Sequence, residues 1–63
     1  MLENLPALAT VPQFCEFAQL SVPTAARMRA EGTGPQFIRL GRSVRYRREA
    51  VLAWLEDLQR EGS

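Results

Sequence analysis

Apolar residues recur at helical spacing at both ends of the chain and alternate with polar ones in between. Val11, Phe14, Cys15 and Ala18, with Phe17 beside them, repeat at intervals of three and four, which predicts a first helix over residues 11–18. Thr10 and Gln13 have the capping-box spacing, so each side chain is placed to accept from the other's backbone N–H. Pro12 falls in the first turn, where no N–H is needed. A second helix is expected over 22–31, with Ser21 as its cap near Thr24 and Pro23 again in the first turn. Gly32 ends it, and Gly34-Pro35 prevents continuation. Two short capped helices across the brief Gln19-Leu20 turn make a helix-turn-helix pattern.

Strands are expected at 37–40 and 44–47, flanking Gly41-Arg42-Ser43 as a β-hairpin. Two registers compete. A two-residue turn at Gly41-Arg42 sets Ile38 against Arg45, an apolar residue against a charge. A three-residue connection over 41–43 pairs Leu40 with Val44 and Ile38 with Tyr46 on one face, and Arg39 with Arg45 on the other. The second is preferred because it keeps the apolar residues together, and its opposed arginines invite an anion between them. Beyond the hairpin, Val51, Leu52, Trp54, Leu55 and Leu58 return to the 3.6-residue period opposite Glu56, Asp57, Gln59 and Arg60, predicting a third helix over 48–60.

The order helix, turn, helix, hairpin, helix describes a small α+β fold, mostly α: a winged helix-turn-helix domain over 10–60. Residues 1–9, interrupted by Pro6, are expected as an N-terminal tail, although Leu2, Leu5 and Leu8 have the means to pack on the domain. Residues 61–63 are expected as a C-terminal tail. The expected core is Val11, Phe14, Cys15, Phe17, Leu20, Ala25, Met28, Ile38, Leu40, Tyr46, Val51, Leu52, Leu55 and Leu58. Trp54 reads as a core anchor rather than a base-stacking residue, and Cys15 as a small buried side chain.

Composition narrows the chemistry. With 63 residues there is room for one domain and no large cleft. The chain has no histidine and a single cysteine, which leaves no zinc site, no histidine-based triad and no internal disulfide. An enzyme, a cofactor, a metal and a small-molecule substrate are therefore not expected. No apolar run approaches the ~20 residues of a membrane span, and the lone thiol suits a reducing, cytoplasmic setting.

The net charge of +1 hides a strong asymmetry. Between Arg27 and Arg48 there are seven arginines and one acid, Glu31, whereas the rest of the chain has one arginine against six acids. A one-sided basic field on a small fold is the footprint of a polyanion binder, here double-stranded DNA.

The helical wheel of the second helix turns Pro23, Ala26, Arg27 and Ala30 away from the buried side of Ser21, Ala25 and Met28. In a helix-turn-helix this helix enters the major groove, so Pro23, Thr24, Ala26 and Arg27 are the candidate groove residues. Arg27 is the only long polar side chain there, suited to a guanine edge or a phosphate, and Thr24 is suited to a phosphate, a thymine methyl or a local bond. Such a face reads sequence weakly by itself, leaving specificity to DNA shape, repeated sites or partners. Arg42 and Ser43 at the hairpin tip are candidates for the minor groove. Arg39, Arg45, Arg47 and Arg48 are candidates for phosphates; Arg47 and Arg48 sit at the end of the third helix whose dipole disfavours cations. Arg29, near the buried edge of its helix, is expected to snorkel or to pair with an acid such as Asp57.

The stretches Thr10-Val11, Ser21-x-x-Thr24-x-x-Arg27-x-Arg29-Ala30-Glu31-Gly32, Gly34-Pro35-x-Phe37 through Arg48, and Ala53-Trp54-Leu55 resemble the MerR-type winged helix of the phage excisionases and the AlpA-like regulators. The resemblance covers about residues 10–57. It departs from the family at Ala26, where a larger or aromatic residue is frequent, and at Met28, where tryptophan is common. It implies a recombination directionality factor in a bacterial host, nucleoid-associated when bound, that binds repeated sites in an attachment region, bends the DNA and directs a phage-type integrase towards excision. It also implies head-to-tail self-association along DNA and no phosphoryl chemistry. Two alternatives stay open: a small transcriptional regulator on promoter DNA, and a protein-interaction module whose basic face docks an acidic partner.

Overall fold

Hydroxyl caps and left-handed stops set the helices where the sequence places them. The computed structural model describes residues 5–62, with side chains up to residue 60. Helix α1 spans Val11–Ala18; the Thr10 hydroxyl accepts from Gln13 N–H and Gln13 Oε1 accepts from Thr10 N–H at 2.9 Å, completing the capping box. It stops at Gln19, which takes a left-handed conformation with φ 60°, and Leu20 N–H returns to Cys15 O at 2.9 Å. Helix α2 spans Val22–Glu31, capped by the Ser21 hydroxyl on Thr24 N–H and closed by Gly32 at φ 73°. Helix α3 spans Arg48–Gly62, two residues longer than the periodicity suggests.

The three helices frame an antiparallel sheet of three strands in the order β1-β3-β2: β1 Leu8–Thr10, β2 Ile38–Leu40 and β3 Ser43–Arg47. Three helices and a hairpin in this order make the winged helix-turn-helix fold, with the β2–β3 hairpin as the wing.

Strand β1 departs from the expected tail. Leu8 pairs with Arg47, Ala9 with Tyr46 and Thr10 with Arg45, and both Leu5 and Ala9 are fully buried. Arg48 ties the segment down twice, its backbone N–H donating to Ala7 O at 3.0 Å and its Nε to Leu5 O at 2.8 Å. A strand of three residues carries too little alternation to be legible, and its stability comes from the unpaired edge that β3 offers. Leu2 lies outside the described residues, as does Ser63 of the expected C-terminal tail.

The wing takes the two-residue turn, not the expected three-residue connection. Ile38 pairs with Arg45, Arg39 with Val44 and Leu40 with Ser43. Gly41 has φ 64° at the first central position of the turn, the position a type II′ turn reserves for glycine. The preference for keeping Ile38 and Leu40 with Tyr46 rested on their being core residues, and they are not: they are 37% and 49% exposed. Tyr46 is 1% exposed and instead faces inward with Ala9, while Phe37 approaches it at 6.4 Å between ring centroids. Arg39 and Arg45 consequently lie on opposite faces of the hairpin, and no anion need sit between them.

The core is centred on Phe14, whose ring stacks on Tyr46 at 4.3 Å and meets Trp54 edge-on at 5.7 Å. Leu5, Ala9, Cys15, Ala25 and Val51 complete the buried set. Val11, Phe17, Leu20 and Leu55 pack partly against it as expected, but Leu52 and Leu58 of α3 are exposed. Trp54 acts as an anchor: its indole N–H donates to Thr33 O at 3.3 Å, fixing α3 against the end of α2.

Candidate nucleic-acid interface

Arg29 joins helix α2 to the wing. Arg29, in the last turn of α2, donates from Nη1 to the Tyr46 hydroxyl at 2.8 Å. Its guanidinium carbon lies 5.9 Å from the centroid of Phe37. The expected partner of Arg29, Asp57, instead lies 3.7 Å from Arg60 on α3. Arg29 is near the buried edge of α2, as the wheel indicates, but the hydroxyl it meets belongs to a strand 17 residues away.

Pro23, Ala26, Arg27 and Ala30 are all exposed, so α2 presents the face the wheel assigns to it. Arg27 has no carboxylate within ion-pair distance among the described residues. Thr24 is half-buried, and its hydroxyl oxygen accepts from the Ser21 hydroxyl at 2.8 Å, the local bond at the helix start.

Arg42 and Ser43 are exposed at the tip of the wing. Arg39 is exposed, and its guanidinium carbon lies 5.8 Å from the same Phe37 ring that Arg29 approaches. Arg45 is half-buried and donates from Nη1 to Val44 O at 3.0 Å, which bends its side chain back along its own strand. Arg47 lies 3.7 Å from Glu49, an exposed pair of small energetic weight. Arg48 is half-buried and committed through Nε to Leu5 O. Its place at the start of α3, against the helix dipole, is therefore accounted for by an internal acceptor.

Six arginines thus carry charge with no ion-paired acid among the described residues: 27, 29, 39, 42 and 45 on α2 and the wing, and Arg48 at the start of α3. Exposed acids lie mainly on α1 and α3, among them Glu16, Glu56 and Asp57, with Glu31 at the end of α2. An unneutralised guanidinium set of this kind suits phosphate oxygens, with Arg27, Arg39 and Arg42 its exposed members. Arg29 is the residue that sequence reasoning left out of this set, since its wheel position does not reveal that a wing lies beside it.

Cys15 is buried, and its thiol lies 3.7 Å from Ser21 O. Burial raises its pKa above the ordinary value, against a smaller opposing effect from the Arg29 charge. It is thus a packed, protonated thiol. Among the described residues no group of histidine, cysteine or acidic side chains is arranged to hold a metal ion, and no helix is long and apolar enough to cross a membrane.

No curated protein and no solved structure matches the chain significantly. A model of a helix-turn-helix domain family matches residues 10–59, which includes α1, α2, the wing and most of α3. Domains of this kind are non-catalytic DNA-binding modules typical of regulators. With its two capped helices, its wing and its arginine-bearing face, the chain belongs to the helix-turn-helix domain family, as a winged member.

Proposed function

We propose that the chain is an excisionase, a DNA-bending accessory protein that binds repeated sites in an attachment region and directs a phage-type integrase towards excision. The observation that carries this reading is the imbalance of charge between the wing and α2. The wing supplies Arg39, Arg42 and Arg45, whereas the outward face of α2 offers Arg27 among Pro23, Ala26 and Ala30. Affinity then comes chiefly from phosphates, and little sequence information comes from any one site. A protein so built gains specificity by occupying several sites side by side and by choosing DNA that bends easily.

In this arrangement α2 enters the major groove, with Arg27 on a base edge or phosphate and Pro23, Thr24 and Ala26 in contact distance of the groove wall. Arg42 and Ser43 reach the minor groove, and Arg39, Arg45 and Arg47 meet phosphates. Arg48 keeps its bond to the N-terminal segment and contributes charge from behind. Neighbouring protomers associate head to tail, bringing the acidic α1 and α3 surface of one towards the basic wing of the next.

The test is a gel-shift titration at physiological salt on attachment-site DNA, promoter DNA and scrambled DNA. Stepwise, cooperative ladders confined to attachment DNA support the excisionase. Tight binding confined to promoter DNA replaces it with a transcriptional regulator of the same fold and face. Equal, weak smearing on all three refutes specific DNA binding and leaves a basic surface for an acidic protein partner.

A further inference from the structure

We propose that Arg29, held by Tyr46 beside the Phe37 ring that Arg39 also approaches, binds backbone phosphate at the junction of α2 and the wing, with Tyr46 as the positioning residue. The proposal rests on the DNA-binding reading and adds to it a ligand that lies off the outward face of α2.

Arg29 is half-buried, and the groups it meets in the protein are neutral or merely polarised. One N–H goes to the Tyr46 hydroxyl at 2.8 Å, and the guanidinium carbon stands 5.9 Å from the Phe37 centroid. A guanidinium has five N–H donors in a fixed fork, so one neutral oxygen and one ring leave most of its hydrogen-bonding capacity unused. Its position in the last turn of α2 brings some stabilisation from the helix dipole, but that argument does not extend to Arg39. Arg39 comes from β2 and brings a second cation to 5.8 Å from the same ring centroid. The Phe37 quadrupole attracts each guanidinium, yet it neutralises neither. No carboxylate within ion-pair distance relieves this among the described residues. An anion does, and a phosphodiester matches the planar donor forks of arginine.

Tyr46 is what makes the site rigid. Its ring is almost fully buried and stacked on Phe14 at 4.3 Å, so the hydroxyl stands at a fixed point between wing and α2. Through that hydroxyl Arg29 is held in one orientation before any ligand arrives. A pre-set guanidinium loses less side-chain entropy on binding than a free one.

The experiment compares duplex binding of the full chain with that of Arg29→Gln, Tyr46→Phe and the double variant, across roughly 50 to 200 mM salt. Arg29→Gln removes the charge while keeping part of the apolar stem and a polar amide, and thermal unfolding checks that it remains folded. The expected result is a loss of affinity on the order of tenfold and a salt slope shallower by about 0.9, equal on specific and scrambled DNA. Tyr46→Phe is expected to weaken binding when Arg29 is present and to add nothing in the Arg29→Gln background. A purely structural Arg29 leaves the salt slope unchanged in a folded Arg29→Gln protein, and that outcome overturns the proposal while leaving the DNA reading intact. Failure of the wild-type chain to bind duplex at the lowest salt overturns both. Should Arg29→Gln not fold, Arg29→Lys takes its place: it keeps the charge but not the fork, so the slope is expected to hold while affinity falls. Unchanged affinity in a folded Arg29→Lys variant overturns the proposal.

Discussion

Replacing Leu5 by alanine separates a folded N-terminal segment from a tail. Leu5 is 0% exposed and belongs to the cluster that contains Phe14, Tyr46 and Val51, whereas Leu8, three residues on, is 42% exposed. Truncating a buried leucine removes its transfer free energy and leaves a cavity, about 3 kcal/mol in a typical core. A domain of this length has only about 3–9 kcal/mol to lose, at ~0.05–0.15 kcal/mol per residue. Leu5→Ala is therefore expected to remove a large part of the total and to lower Tm by roughly 12–24 °C, at ~4–8 °C per kcal/mol for a chain of this size. Leu8→Ala, at a side chain already well exposed to water, is expected to cost less than about 1 kcal/mol. The assay is thermal and urea unfolding followed by far-UV circular dichroism for both variants. A Leu5→Ala loss below about 0.5 kcal/mol, or equal losses for the two leucines, refutes the burial argument. The Leu5 carbonyl that holds Arg48 belongs to the backbone and survives the substitution, so the effect measures packing and not the hydrogen bond.

Four further outcomes are expected. Arg39→Ala should weaken binding to every duplex alike and make the salt slope shallower by about 0.9 per lost phosphate contact, measured by fluorescence anisotropy over a salt series. Arg27→Ala should cost about 1–3 kcal/mol more on the true site than on scrambled DNA if its fork meets a guanine; equal losses remove it from base readout. Gly41→Ala meets no atom within 4 Å, so its cost is conformational, about 1–2 kcal/mol for a non-glycine residue at φ 64°, read by chemical denaturation. The raised pKa of Cys15 makes the folded state hold its proton after the unfolded chain has lost it. Stability should therefore decline as pH rises past the unfolded thiol value, more steeply than in Cys15→Ala, when unfolding free energies are compared at about pH 8 and pH 10.

The helices were legible because their signals are local. A hydroxyl at residue 10 with a carboxamide at 13, a hydroxyl at 21, prolines in both first turns and a glycine at 32 each act within one turn of helix. The arginine asymmetry was legible for a similar reason, since charge is counted along the chain. The outward face of α2 followed from helical phase alone and holds, from Pro23 to Ala30. Errors arose where residues distant in sequence decide. Ile38 and Leu40 look like core residues in a four-residue window, and only the packing of β1 on the far edge of β3 shows that Tyr46 and Ala9 occupy the inner face instead.

Sequence alone thus determined the order of the three helices and the wing, the caps and the segregation of arginine from acid, because each depends on neighbours within a few positions. Tertiary structure decided the register of the wing, the recruitment of residues 5–10 into the fold and the partner of Arg29. Those three share one physical cause. A strand with an open edge and a buried tyrosine take whatever donors, acceptors and apolar surface the rest of the chain brings to them. Here that was the backbone of residues 7–10 on one side and a guanidinium from α2 on the other. The candidate phosphate site between α2 and the wing exists only as that meeting of separate elements.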